Sequence, residues 1–422
     1  MTYTEALEYI HSINWTFTKP GLERIAALCE KLGNPQKELK FVHVAGTNGK
    51  GSFCTMLDSI LRAAGYKTGL FTSPYIKEFG ERIRYCGENI ADGELAEITE
   101  YIKPIADAMA DKPTEFELIT AIGLEYFKRK KCDIVILEAG MGGRLDSTNI
   151  IDSSVLSVIT GIALDHVAYL GDTVDKIAAE KAGIIKKGGT LLFGGEDECA
   201  ADVIEAKAKE MWAVYSRVDR SSLEITSSTL SGTVFNYRNR EDIELNLLGL
   251  YQPKNAATVL CAVDILRESG YVISEEAIRS GLLAARWQAR FEIISKEPTV
   301  IFDGAHNPEG IEVATNSIKH YFGDKKVCVL TGVMRDKDYF YIASRLSEIA
   351  DSAVVITPDN PRALAADEYA SVLSEKGIEA KAYGSVKEAL DAGKKLAKDN
   401  DTALVCLGSL YMYKEVYENV KK

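Results

Sequence analysis

The stretch FVHVAGTNGKGS, residues 41–52, sets glycines and a lysine between an apolar run and a helical one. Backbone N–H groups in such a loop, with the N-terminus of the following helix, cradle phosphate oxygens, and a lysine adds a point charge over the β- and γ-phosphates. Lys50 stands where that charge is needed, Thr47, Asn48, Gly49 and Gly51 supply backbone, and Ser52 offers a hydroxyl to a phosphate-bound magnesium ion. The general phosphate-loop pattern is not met strictly, because Gly51 separates Lys50 from the hydroxyl residue and Val44 stands where the pattern opens on glycine. On these residues alone, nucleotide binding competes with a glycine-rich strand-to-helix turn that carries a surface lysine. Other groups able to do chemistry also follow apolar runs. Glu138 closes DIVILE, where a parallel strand delivers its last residue to the carboxyl edge of a sheet, the usual ligand side. By themselves, His166 reads as a capped surface residue, Lys181 as a helical surface lysine, and Asp303 as either a ligand contact or a helix N-cap before Pro308.

The elements that must position these residues alternate between apolar runs and helical-period segments, the pattern of a parallel sheet covered on both faces. Phe41 to Ala45 is expected as a strand and Ser52 to Ala64 as a helix, with Phe53, Met56, Leu57, Ile60 and Leu61 on one face and Gly65 at a left-handed C-cap. Thr68 to Thr72 reads as the next strand and Ser73 to Arg84 as polar loop. Glu115 to Lys130 is helical, Asp133 to Glu138 a buried strand, Gly140 to Asn149 a second glycine-rich loop, and Val155 to Thr160 a strand ending near Asp165 and His166. After Leu191 to Phe193, Ser221 to Leu248 alternates in antiparallel style, and Asn255 to Arg267 returns to helix. A new alternation begins after residues 295–298, with strands at Val300 to Phe302, Val327 to Leu330, Ala353 to Thr357 and Leu404 to Leu407. Helices are expected around Ile311 to Tyr321, Phe340 to Ile349 and Val386 to Ala397. The expected class is α/β: a phosphate-loop domain over 1–295, with a parallel sheet flanked by helices and a small antiparallel portion, then a Rossmann-like domain over 298–422.

At 422 residues the chain suggests two or three domains, and 46% hydrophobic with 27% charged residues excludes disorder. Fifty basic against 62 acidic residues give a net charge of −12, which disfavours a nonspecific nucleic-acid binder. An anionic substrate then needs a locally basic pocket. The eight cysteines form no C-x-x-C pair, so reduced core thiols of a cytosolic protein are expected. MTYTEALEYIHSINW places Glu where a signal peptide needs a basic start, and no apolar run approaches a membrane-spanning length, so the expectation is a soluble, cytoplasmic chain.

Seven segments in order carry a resemblance: GTNGKGS (46–52), TSPYI (72–76), ERI (81–83), LEAGMGGRLDSTN (137–149), ALDH (163–166), EKAGIIK (180–186) and DGAHNP (303–308). With them, the chain resembles the folylpolyglutamate synthase/dihydrofolate synthase branch of the Mur ligase family, ATP-dependent enzymes that form amides. The resemblance implies ATP, magnesium, a folate and L-glutamate as ligands, with the nucleotide between two domains and closure completing the site. It implies that the γ-carboxylate of tetrahydrofolate is phosphorylated and then attacked by the amine of glutamate, and leaves open the addition of glutamate to dihydropteroate.

Residue by residue, the resemblance puts Lys50 at the γ-phosphate and the metal positions at Ser73, Glu138 and His166, beside Ser52. It implies a carbamate on Lys181, made from CO2, and admits a monovalent cation. Asn255, Arg290, Asp303 and His306 fall on nucleotide positions: Arg290 as a planar fork for phosphate, Asp303 as an acceptor for ribose hydroxyls and His306 as a donor near the γ-phosphate. Gln288 and Ala289 stand where many relatives carry Pro-Gly, and Tyr251 where many carry His. Gly21, Leu22, Phe116, Asp146 and Ser147, with Arg82 and Arg144 as carboxylate contacts, fall on the folate side. A phenylalanine on a helix face such as Phe116 is core more often than it stacks on a ligand, and the two arginines read equally as solvated. A Mur-type ligase of cell-wall precursors is disfavoured by the lack of a separate domain ahead of the phosphate loop. A nucleotide-binding switch or phosphotransferase would give His166 and Lys181 no role. A monomer acting on small molecules, without nucleic acid or membrane, is expected.

Overall fold

The apolar runs expected as strands lie side by side in a computed structural model that describes residues 1–13 and 21–421. Eight strands form the first sheet: β1 (Phe41–Ala45), β2 (Thr68–Phe71), β3 (Ile83–Tyr85), β4 (Glu88–Asn89), β5 (Ile134–Glu138), β6 (Leu156–Ile159), β7 (Thr190–Phe193) and β8 (Val214–Arg217). Their spatial order is β4-β3-β2-β5-β1-β6-β7-β8. The six strands from β2 to β8 in that order run parallel, and β3 and β4 add an antiparallel edge. β1 lies in the interior of the sheet and is buried along its whole length, which is why it is continuously apolar apart from His43.

Helix Lys50–Ala63 covers β1, burying Phe53, Met56, Leu57, Ile60 and Leu61 as the spacing predicts. Each such side chain contributes about 1.5–3 kcal/mol by leaving water. The helix starts at Lys50 rather than Ser52 because Gly49, at φ +83, turns the loop directly into it. Gly65 follows the helix at φ +88, the left-handed conformation expected of it. The segment expected as loop after Thr72 contains more structure than its polarity suggests. A 3-10 turn, Phe79–Arg82, leads into β3, and the Glu81 carboxylate accepts the Ile76 and Lys77 N–H groups. Those polar residues satisfy the turn's own backbone, so no apolar period marks it.

The antiparallel stretch forms a separate sheet, β9 (Glu224–Thr229), β10 (Gly232–Tyr237) and β11 (Arg240–Leu245), in the order β11-β10-β9. The last sheet holds β12 (Glu292–Lys296), β13 (Thr299–Asp303), β14 (Val327–Thr331), β15 (Ala350–Val355), β16 (Glu379–Ala382) and β17 (Leu404–Leu407), in the order β12-β13-β17-β14-β15-β16. All its pairings are parallel except β12 with β13. The α/β class and the parallel-rich sheets are as expected.

The division of the chain differs from the expected one. One compact unit comprises Met1–Ser222 with Asn255–Ala285, and the other Leu223–Lys254 with Arg286–Lys422. The boundary expected at 295–298 falls inside the β12–β13 hairpin, where cross-strand hydrogen bonds join both sides. The antiparallel sheet, expected within the first domain, belongs to the second unit, whose core takes in Leu230 and Leu248. Contiguity in sequence concealed this exchange. Among the described residues, no helix is long and apolar enough to cross a membrane.

Candidate active site

The loop after β1 is stitched to the end of β6. Thr47 donates its N–H to the Gly161 carbonyl at 2.8 Å, its hydroxyl lies 3.1 Å from both the carbonyl and the N–H of Ala163, and Thr160 Oγ1 donates to the Asn48 carbonyl at 2.7 Å. Two glycines are required by close approach. A Cβ on Gly46 would lie 2.0 Å from Thr160 Oγ1, and one on Gly49 would lie 2.7 Å from Asn255 Oδ1. Helix Gln252–Glu268 thus brings Asn255, which the resemblance puts among the nucleotide positions, against the loop. Ser52, in the first turn of the helix behind, is buried.

Two lysines converge on one carbonyl. Lys50 Nζ donates to Gly46 O at 2.9 Å and to Thr47 O at 3.2 Å, and Lys181 Nζ donates to Gly46 O at 2.9 Å. Lys181 is no surface lysine: only 4% is exposed, near the C-terminus of helix Val174–Ala182. Burial, reinforced by the neighbouring Lys50 charge, lowers its pKa to about 7, while Asp165 and Asp146 oppose the shift. A small cavity here is lined by Thr47, Lys50, Asp165, His166 and Lys181 and by residues Gly140, Met141 and Gly142. His166 sits at φ +50 with its side chain 46% exposed, and Nε2 lies 3.9 Å from Asp165 Oδ2.

Glu138 ends β5, 3% exposed, beside Val44 of β1, and its Oε2 accepts the Ser73 N–H at 3.3 Å. Ser52, Ser73 and Glu138 offer hard oxygen donors, the chemistry magnesium prefers, and magnesium in nucleotide sites takes one or two carboxylates with phosphate oxygens and waters. The residues present therefore fit the ion. Among the described residues no three His, Cys, Asp or Glu side chains gather into a metal cluster, so His166 does not form a closed protein cage with Glu138.

In the second unit Asp303 ends β13, buried, and does not cap the following helix; Asn307 does, accepting the Gly310 N–H at 2.8 Å. Asp303 Oδ2 accepts the Tyr251 hydroxyl at 2.7 Å and the Phe291 N–H at 2.9 Å, and Oδ1 accepts the Ala305 N–H at 2.8 Å. Burial raises its pKa, and the Arg290 charge opposes that. His306 Nδ1 lies 2.8 Å from Gly304 O. Ala289 takes φ +55, a conformation open to glycine without strain. Tyr251 noted only as a departure in sequence, emerges as the partner of Asp303; 52 residues separate them, so no local signal pairs them.

On the expected folate side, Phe116 is half-buried, its ring against Gly140, where a Cβ would meet it at 2.6 Å, and 6.0 Å from the Phe71 ring. Ser147 Oγ lies 3.0 Å from Thr120 Oγ1. Asp146 is buried, and both its oxygens serve the loop: Oδ2 accepts Met141 N–H and Oδ1 accepts Thr148. Arg144 pairs with Glu180 at 2.7 Å, and the Arg82 guanidinium lies over the Tyr75 ring. Leu22 is the N-cap of helix Glu23–Lys31, with Gly21 before it, while Lys19 and Pro20 of the same segment lie outside the described residues. Missed in sequence was the buried pair of Arg24 Nε with Glu117 Oε2 at 3.0 Å, which joins this helix to Glu115–Lys130.

Residues 44–263 match the Mur ligase middle domain and residues 289–409 the Mur ligase glutamate ligase domain. The chain is 37% identical, over 99% of both chains, to the dihydrofolate synthase/folylpolyglutamate synthase of Bacillus subtilis. Among solved structures it is similar to Mycobacterium tuberculosis folylpolyglutamate synthase complexed with ADP and AMPPCP (TM-score 0.90, 30% identity, covering 100% of this chain and 99% of that one). It is similar also to Escherichia coli FolC in complex with DHPP and ADP (TM-score 0.88, 33% identity, covering 100% and 98%). The phosphate loop and buried lysine thus stand in the company of near full-length relatives, and the chain belongs to the Mur ligase family, in its folylpolyglutamate synthase/dihydrofolate synthase branch of ATP-dependent ligases.

Proposed function

We propose that the chain joins L-glutamate to the γ-carboxylate of tetrahydrofolate at the expense of ATP, and joins glutamate to dihydropteroate in the same pocket. A carboxylate oxygen of the acceptor attacks the γ-phosphorus and the bond to ADP breaks, leaving an acyl phosphate. The glutamate nitrogen, having lost one ammonium proton, attacks the acyl carbon; phosphate leaves and the nitrogen gives up a second proton. Two anions meet in the first step, so positive charge must be concentrated there. Lys50 supplies it at the γ-phosphate, the backbone of residues 47–51 cradles the phosphates, and Asn255 borders the loop. Arg290, Asp303 and His306 are assigned to the nucleotide, and Gly21, Leu22, Phe116, Asp146, Ser147, Arg82 and Arg144 to the folate side. Ser52, Ser73, Glu138 and His166 would hold magnesium, and the ion when bound would supply charge neutralisation for the phosphoryl transfer.

The observation that carries this reading is Lys181. An amine with a pKa of about 7 is substantially neutral near physiological pH and reacts with CO2, giving an anionic carbamate and a proton. The switch from cation to anion relieves the repulsion from Lys50 and creates an oxygen donor in the cavity. The chain is proposed to work as a cytoplasmic monomer on small molecules.

The test is purified protein with ATP, magnesium and glutamate, given tetrahydrofolate, dihydropteroate or neither, with products weighed by mass spectrometry. One added glutamate on each acceptor is expected. Phosphate release that needs neither acceptor, a transfer to water, would instead favour a nucleotide-binding switch. Lys181→Ala should lose at least about a hundredfold in kcat, with partial recovery when a small carboxylate such as acetate or formate is supplied; full activity without it removes the carbamate.

A further inference from the structure

His43 has no part in the chemistry above. It lies in the middle of β1, wholly buried, between Leu137 of β5 and Ser157 of β6. Burial, with the Lys186 charge, lowers its pKa to about 3, so the ring is neutral and carries one proton. Its neighbours fix which nitrogen holds that proton. The Asp146 carboxylate accepts at Oδ1 from the Thr148 hydroxyl (2.5 Å) and N–H (3.0 Å), and at Oδ2 from the Met141 N–H (2.8 Å). With its own proton given to Asp146, Thr148 Oγ1 only accepts from His43 Nε2, 2.9 Å away. His43 Nδ1, also buried, has no hydrogen-bond partner among the described residues, as an unprotonated nitrogen in an apolar sheet would.

The chain of donors ends in the loop 140–149, which rests directly on the helix of Lys181. A Cβ on Gly143 would lie 2.9 Å from the carbonyl oxygens of both Glu180 and Lys181, Arg144 N–H donates to Glu180 O at 2.8 Å, and Asn149 Nδ2 donates to Gly183 O at 3.1 Å. The same loop lines the cavity with Gly140–Gly142. We infer that His43 is a positioning residue: as the Nε2–H tautomer it donates to Thr148, Thr148 donates to Asp146, and this relay sets loop 140–149 against the helix that presents Lys181. The consequence for turnover rests on the proposed role of Lys181; the relay itself does not.

The chain has five histidines, few enough for 15N-histidine NMR to report the tautomer of His43 after assignment by substitution. A neutral ring protonated at Nε2 is expected, whereas an Nδ1–H ring, or one that titrates between pH 5 and 8, overturns the relay. His43→Leu should lower kcat by between about tenfold and a hundredfold with the KM for ATP little changed, and should speed amide exchange at Met141 and Thr148. His43→Gln, which keeps a donor at the reach of Nε2, should restore most of both. Thr148→Val should cost the same as His43→Leu, and the double variant no more than either alone. Additive losses, or a folded His43→Leu protein with unchanged kcat and exchange, overturn the inference. A wild-type protein without ligase turnover counts against the proposed function alone, since the tautomer and the exchange rates still decide the relay.

Discussion

Lys181 shows how little a residue type says before its surroundings are known. In sequence it is one of 50 basic residues; in the fold it is buried beside a second lysine, sharing the carbonyl of Gly46. Its folded pKa of about 7 lies below the ordinary value of 10.5. Between those values the unfolded chain binds the extra proton, so stability contributed by this site rises with pH across the window, and the full penalty applies below it. In bicarbonate-free buffer without nucleotide, Lys181→Met should therefore melt above the wild type at pH 6. The gap should close as pH climbs from about 7 towards 10, a trend that calorimetry at a series of pH values would detect. A gap independent of pH would mean that the amine is not desolvated. Asp303 makes the complementary point. Its expected roles were ribose acceptor or helix cap, and the structure removes the second by giving the cap to Asn307 and surrounding the carboxylate with Tyr251 and two backbone donors.

At the scale of elements, β1, its loop and helix Lys50–Ala63 were legible because each obeys a local rule: a continuous apolar run, a glycine-rich turn, and apolar residues at helical spacing. The pairing of that loop with Asn255 was not, since it joins residues about 200 positions apart on elements that meet only when the sheet is assembled. Gly49 is where the two levels touch. Gly49→Ala would force a Cβ into a left-handed conformation, at about 1–2 kcal/mol, and towards Asn255 Oδ1. Urea unfolding should register that loss, and initial rates should show a raised KM for ATP through displacement of Asn255. An unchanged KM would separate Asn255 from the nucleotide. Elements that sequence reading passed over, such as the 3-10 turn Phe79–Arg82 and strand β16, are short and polar, with turn geometry or edge position in place of an apolar period.

For the whole molecule, the division of the chain into units carries a consequence for fragments. Residues 223–254 pack with the C-terminal sheet, and β12 belongs with β13, so a fragment ending at 295 keeps the β9–β11 sheet without the core it packs on and most of β12 without its partner strand. Limited proteolysis of fragment 1–295 should cut first within 223–254 and 286–295, whereas the full chain should resist there. Equal resistance in both would show that the antiparallel sheet is held by the first unit after all.

The amino-acid sequence by itself determined the α/β class, the phosphate loop with its lysine, the main buried strands and helices, and through seven ordered segments the family. Each of these is written in neighbours along the chain, where backbone preference and apolar period act over a few residues. Only the tertiary structure decided that Lys181 is buried with its pKa lowered to about 7, that Asp146 and His43 are joined through Thr148, that Tyr251 holds Asp303, and that residues 223–254 belong with the C-terminal unit. Desolvation and hydrogen bonding depend on which distant groups assembly brings within a few ångströms, and no local pattern encodes that.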